Sequence, residues 1–250
     1  MNATDARRLR EQLRPWQQQM QRAPSLFDRL ARGVQARLNR LLPERLHRII
    51  TGAIRQMVQA VLAGSGFVTR QPLLAVPFSE REARAEARIR GYRLAASAEG
   101  AATGAGGFWL GLADFPLLLG LKLKLLFELA ALYGYDARDY TERLYLLYVF
   151  QLAFSSQHTR NHTYQRLACW DAYRATLPTE ADAFDWRTFQ QEYRDYIDLA
   201  KLAQLVPLIG APVGALANYR LLKQLGRTAM NCYRMRYVAE LETEVAVAAR

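Results

Sequence analysis

Residues 98–136, AEGAATGAGGFWLGLADFPLLLGLKLKLLFELAALYGYD, decide the fold. Gly100 and Gly104 recur four residues apart, as do Gly107 and Gly111, so each pair shares one face of a helix. A face stripped of side chains lets two backbones approach more closely than Leu or Phe would allow. Asp114 offers an oxygen to an open helix start, and Pro116 has the fixed φ that a first turn accepts. A Leu/Phe run continues to Tyr133, where Gly134 is the stop signal. The stretch predicts an apolar helical hairpin whose glycines serve packing rather than chemistry.

Outward from it the pattern stays helical. Apolar residues recur at steps of three and four, and strand-like alternation with hairpin turns is absent. The expected class is all-α: a single-domain helical bundle with Gly-rich, closely packed hairpins and a basic N-terminal helical extension. Pro43 opens a helix ending near Gly64, with Leu46, Ile49, Ile50, Ala53, Ile54, Met57, Val58, Val61 and Leu62 on its apolar stripe. Arg45, Arg48 and Arg55 lie off that stripe. Such a helix suits a membrane surface, a partner's groove or the outside of a bundle. Ser79 and Glu82 have the spacing of a capping box. In the helix they open, Glu80/Arg84 and Glu86/Arg90 are expected to pair outside, while Ala83, Ala87, Gly91, Leu94, Ala98 and Ala105 form a narrow strip for close contact. Beyond Gly134, Asp139 or Thr141 can cap TERLYLLYVFQLAF. Glu180, Asp182 and Asp185 suggest a loop, with Asp185 capping a further helix. Gly210, Gly214 and Asn218 then repeat the four-residue spacing, extended by Gly226 and Ala229.

Composition narrows the possible functions. The 250 residues are 51% hydrophobic, enough for a core and too apolar for general disorder. Two cysteines, Cys169 and Cys232, make no disulfide framework. The N-terminus lacks the apolar segment of a secretory signal, so a cytoplasmic location is expected, peripheral on the inner face of the membrane. The longest uncharged stretch, Leu202–Tyr219, contains two prolines, which disfavours a straight spanning helix. Net charge is +11, and residues 1–55 hold twelve arginines against four carboxylates. The expected division is therefore a basic arm, 1–42, and a helical domain, 43–250. Arginine forks suit phosphate, so Arg32, Arg37, Arg40, Arg45, Arg48 and Arg55 are candidates for contact with an anionic membrane surface or a membrane-protein partner. Nucleic acid is the weaker partner, because no helix-turn-helix, zinc finger or RNA-binding motif is present.

Chemistry is sparse. His158 and His162 have the i, i+4 spacing of metal-binding helices, yet no Glu follows the first and no third ligand declares itself. No metal or cofactor is expected. ATGAGG follows a helix rather than a strand, unlike a dinucleotide fingerprint, and GSGF resembles neither a P-loop nor a nucleophile elbow. Lys122 stands out because it shares a helix face with Leu118, Leu119, Leu125 and Leu129. A lysine there must snorkel, pair with an acid such as Glu99, or lower its pKa. Lys124 and Glu128 are expected to pair on another face. Asn218 reads as a buried hydrogen-bonding group between helices, and Asp114 as a helix cap. The expectation is a non-catalytic protein; the alternative is an enzyme using Lys122 or the histidine pair.

AEGAATGAGGFWLGLADFP (98–116), the leucine-rich helix into YGYD (133–136), ER (142–143) and VPLIGAPVGALANYRLLKQLGRTA (206–229) together resemble the EcsC family of bacterial proteins. The resemblance spans about 79–240 and picks out Gly100, Gly104, Asp114, Pro116, Tyr133, Gly134, Pro207, Gly210, Gly214 and Asn218. It implies a helical protein connected by name with transporter-associated genes and with the membrane. It brings no catalytic residues.

Overall fold

A computed structural model describes residues 3–23, 44–63, 71–105, 115–155, 157–178 and 211–248. Its helices are α1 (Ala3–Gln21), α2 (Glu44–Ala63), α3 (Phe78–Ala105), α4 (Phe115–Tyr133), α5 (Tyr140–Phe154), α6 (Gln157–Ala168), α7 (Trp170–Arg174) and α8 (Ala211–Ala248). The chain is all-α, with no strand among the described residues.

The spine is an antiparallel seam between α3 and α8. Arg234 pairs with Glu82 at one end, and Ser97 Oγ donates to the Ala215 carbonyl at 3.2 Å near the other. Between them the helices nearly touch. A Cβ on Gly226 would lie 2.7 Å from the Ile89 side chain, so any larger residue would force Ile89 to move. Helix α4 runs antiparallel to α3, and α5 antiparallel to α8, with Tyr145 Oη donating to the Cys232 carbonyl at 3.0 Å. Every residue of α5 from Leu144 to Phe154 is buried, which makes it the central helix of the core. Asp139 caps it, accepting from the Thr141 amide at 2.9 Å, as its sequence suggests.

The α2 stripe of Ala53, Ile54, Met57, Val58 and Val61 is buried in that core, and Arg48 and Arg55 face outward. This helix is an outer member of the bundle, and those residues are not free to enter a bilayer. Helix α1 packs on α8 and α6: Leu9 and Leu13 meet Val238, and Trp16 meets Tyr164 edge-on with ring centroids 5.9 Å apart.

Gly134 closes α4 with φ at 94°, a left-handed conformation that glycine adopts without a Cβ clash. The Tyr135 amide then reaches back to the Ala130 carbonyl at 2.9 Å. Arg81 stitches this end together, donating to the carbonyls of Tyr133 at 2.7 Å, Leu74 at 2.9 Å and Val76 at 2.9 Å. One guanidinium thus satisfies a helix end and a loop.

Two sequence expectations about α3 are corrected. The small-residue strip does not pack: Ala87, Gly91 and Ala98 are exposed, and Leu94 is 68% exposed. The buried face carries Ala85, Ile89 and Ala96 instead, because α8 supplies the small residue at the crossing and α3 the large one. Nor does Glu82 fold back as a capping-box partner. It is drawn across to Arg234 and to the Tyr133 hydroxyl, while the Pro77 carbonyl accepts from the Glu80 and Arg81 amides. The outer pairs Glu80/Arg84 and Glu86/Arg90 do form.

Candidate functional site

Lys122 is 1% exposed in the middle of α4. Burial brings its pKa down to about 8, partly opposed by the nearby Glu99 carboxylate of α3. Glu99 is the acid that the sequence offers to Lys122, and it acts on the ammonium through its charge, with burial the larger influence. Leu118, Leu119, Leu125, Leu126 and Leu129 are buried around the same helix, so these leucines face protein. Asn218 of α8 is likewise 1% exposed, and its Oδ1 accepts no hydrogen bond from any described residue. Both groups are sealed.

Glu128 corrects another expectation. It is buried and turns from Lys124, which is exposed, to Arg88 and Tyr92 of α3. Arg88 Nε lies 3.0 Å from Oε2, and the Tyr92 hydroxyl donates to Oε1 at 2.8 Å. A cross-helix guanidinium offers a buried carboxylate more than a solvated lysine one turn away.

At the opposite end of α4 the cations of α8 are matched internally. Glu142 takes both forks of Arg236 at 2.7 Å, with the two side chains only 7% and 10% exposed. The guanidinium carbon lies 3.8 Å from the Tyr135 ring centroid and 4.6 Å from that of Tyr145. Burial alone would lower the Arg236 pKa, but the Glu142 hydrogen bonds and charge hold it above the usual arginine value. Tyr133 and Tyr135 each stack on Tyr233 with centroids 5.1 Å apart, and burial pushes all three phenols up. Glu142 of the ER pair is therefore a structural anchor.

Elsewhere α8 presents cations with no such match among the described residues. A cleft of about 970 Å³ opens between α1, α3, α8 and the start of α6. Its cationic lining is Arg90 and Arg93 of α3, Arg160 of α6, and Arg220, Lys223, Arg227 and Arg234 of α8; among the described residues its one carboxylate is Glu86. Trp16, Met20, Ile89 and Met230 supply apolar surface. Charge counting along the chain drew attention to the N-terminal arginines and missed this site. The available signal was the i, i+3, i+7 spacing of Arg220, Lys223 and Arg227 on one helix face.

The remaining candidates are scattered. His162 is exposed on α6, and no group of three metal-binding side chains occurs among the described residues. Arg45, Gly100, Gly104, Pro116, His158 and Gly214 fall within helices, but their surroundings lie outside the described residues. Asp114, Pro207, Gly210, Arg32, Arg37 and Arg40 lie outside them altogether, as do Gly107, Gly111 and the acidic stretch with Asp185. Cys169 and Cys232 are free thiols, and burial pushes that of Cys232 up.

The model of the EcsC protein family matches residues 7–238. The chain belongs to the EcsC family. It is 43% identical to Protein EcsC of Bacillus subtilis (strain 168) over 242 residues, covering 96% of this chain and all of that one. It is 30% identical to the uncharacterised protein YdbA of the same organism, over 83% of this chain and 79% of that one. No solved structure shows significant similarity. The EcsC match extends N-terminal of the motifs at 98–136 and takes in most of α1 and all the cationic residues of the cleft. No described helix of this EcsC-family protein is long and apolar enough to cross a membrane.

Proposed function

We propose that this EcsC-family protein is a non-catalytic accessory protein, cytoplasmic and peripheral on the inner face of the cell membrane. Its arginines meet anionic lipid headgroups or a membrane-protein partner. The observation that carries the proposal is how α2 and α1 divide their faces. Their buried apolar residues are committed to the bundle, while Arg48 and Arg55 of α2 and Arg8 and Arg14 of α1 face outward. Contact is then electrostatic, with each arginine near an anionic surface contributing about 1 kcal/mol. Several together make binding firm at low salt and weak at high salt. The sealed state of Lys122 and Asn218 supports a structural role for both, leaving the enzyme reading without an accessible reacting group there.

Flotation with phosphatidylglycerol-containing and pure phosphatidylcholine vesicles, run beside a DNA and RNA retention assay, tests this. The protein should float with the anionic vesicles alone and be released by salt. Nucleic-acid retention without flotation would replace the membrane with nucleic acid as the partner.

A further inference from the structure

The cleft between α1, α3 and α8 carries an inference that is independent of the membrane reading. Among the described residues, five of its seven cations divide into two sets, and Arg160 donates to the Ser155 carbonyl at 3.4 Å. Arg234 is committed to Glu82 and Asn231, and Arg90 lies 3.7 Å from Glu86. Arg220, Lys223 and Arg227 have no carboxylate partner among the described residues, although they share one face of α8 and line the same cavity. From α3, the Arg93 guanidinium carbon lies over the Tyr219 ring, 3.9 Å from its centroid. The Arg93 Nε is shut off from solvent without an acceptor among the described residues. The contact of Gly226 with Ile89 locks α3 against α8 and keeps these like charges together.

We propose that this cleft is a binding site for a small molecule carrying a multiply charged phosphate group. A carboxylate has two oxygens and is satisfied by one arginine fork. A phosphomonoester or diphosphate has three or more acceptor oxygens and can take forks from α3 and the cations of α8 together. The volume, about 970 Å³, is near the upper end for small-molecule pockets, and Trp16, Met20 and Met230 would receive an organic body beside the phosphate. The ligand is either a soluble phosphate compound or the exposed headgroup of a phospholipid.

Calorimetric titration of the full chain with pyrophosphate, at constant ionic strength in chloride, tests the site. Saturable binding of one pyrophosphate per chain is expected. Each charge-assisted contact is worth roughly tenfold in affinity, so the R220Q/K223Q/R227Q variant should lose measurable binding. The control R48Q/R55Q, outside the cleft, should bind as the parent does, with circular dichroism confirming the fold of both. Vesicles of phosphatidylcholine with phosphatidic acid separate the sources. If pyrophosphate displaces the protein from them and the triple variant does not float, the ligand is a headgroup. If the triple variant floats normally while losing pyrophosphate, the ligand is soluble. Absence of saturable pyrophosphate binding, or equal loss in the control, overturns the proposal. Flotation that depends only on Arg48 and Arg55 would then leave the membrane reading standing.

Discussion

The two halves of α8 treat their cations in opposite ways. Towards the C-terminus, Arg234 and Arg236 are matched to Glu82 and Glu142, and aromatic rings close over Arg236. Towards the N-terminus, Arg220, Lys223 and Arg227 face a cleft with a single carboxylate among the described residues, itself beside Arg90. A cation enclosed with its counter-ion is part of the fold and can do nothing else. A cluster of cations facing open space repels itself, and a bound anion relieves that repulsion beyond what water and salt do. On this helix, pairing separates structural charges from those available for recognition.

The largest expected effect breaks the matched half. Glu142→Ala strands the Arg236 guanidinium among Tyr135 and Tyr145, and loss of one partner of a buried pair costs about 3–5 kcal/mol. Urea unfolding should show it. A small loss would mean that water reaches Arg236, and the contrast between the halves would weaken. The crossing comes next. Gly226→Leu overpacks Ile89 and should cost about 1–3 kcal/mol or more. Gly91 and Gly120 have nothing within 4 Å of an added Cβ, so alanine at either should gain up to about 1 kcal/mol from helix propensity. Equal melting shifts at all three positions would remove the close contact from the account.

Lys122 offers a test that depends on pH. Its folded pKa is about 8, below the unfolded value of 10.5. Between these values the unfolded chain binds the extra proton, so this group's contribution to stability rises with pH. Lys122→Met should be the more stable protein at pH 7, and its advantage should shrink by roughly 2–3 kcal/mol as pH climbs from 8 towards 10. A pH-independent difference would show Lys122 to be solvated. The smallest effect belongs to the unmatched half. Lys223→Gln without any anion should raise stability by a few tenths of a kcal/mol, a gain that added salt erases.

Local rules read the fold well. Gly134 as a stop, Asp139 as a cap and the Glu80/Arg84 and Glu86/Arg90 pairs all concern residues within a turn of one another, where spacing fixes geometry. The long-range partners of Glu82, Glu128 and Glu142 were not legible, because a carboxylate's choice between a local lysine or backbone amide and a distant arginine depends on which helices meet. The same limit hid the cleft. Arg93 and Arg220 come together only through the α3–α8 crossing, and the glycine that permits it, Gly226, stood at the margin of a motif. Lys122 was conspicuous because an ammonium amid leucines is anomalous wherever the helix packs.

Cell fractionation tests most directly whether this EcsC-family protein meets the membrane through charge alone. The account predicts that the protein sediments with membranes at low ionic strength and is released by high salt or carbonate, with the Leu-rich α4 remaining inside the bundle. Extraction by detergent only, with salt and carbonate both ineffective, would contradict it and show that apolar segments enter the bilayer.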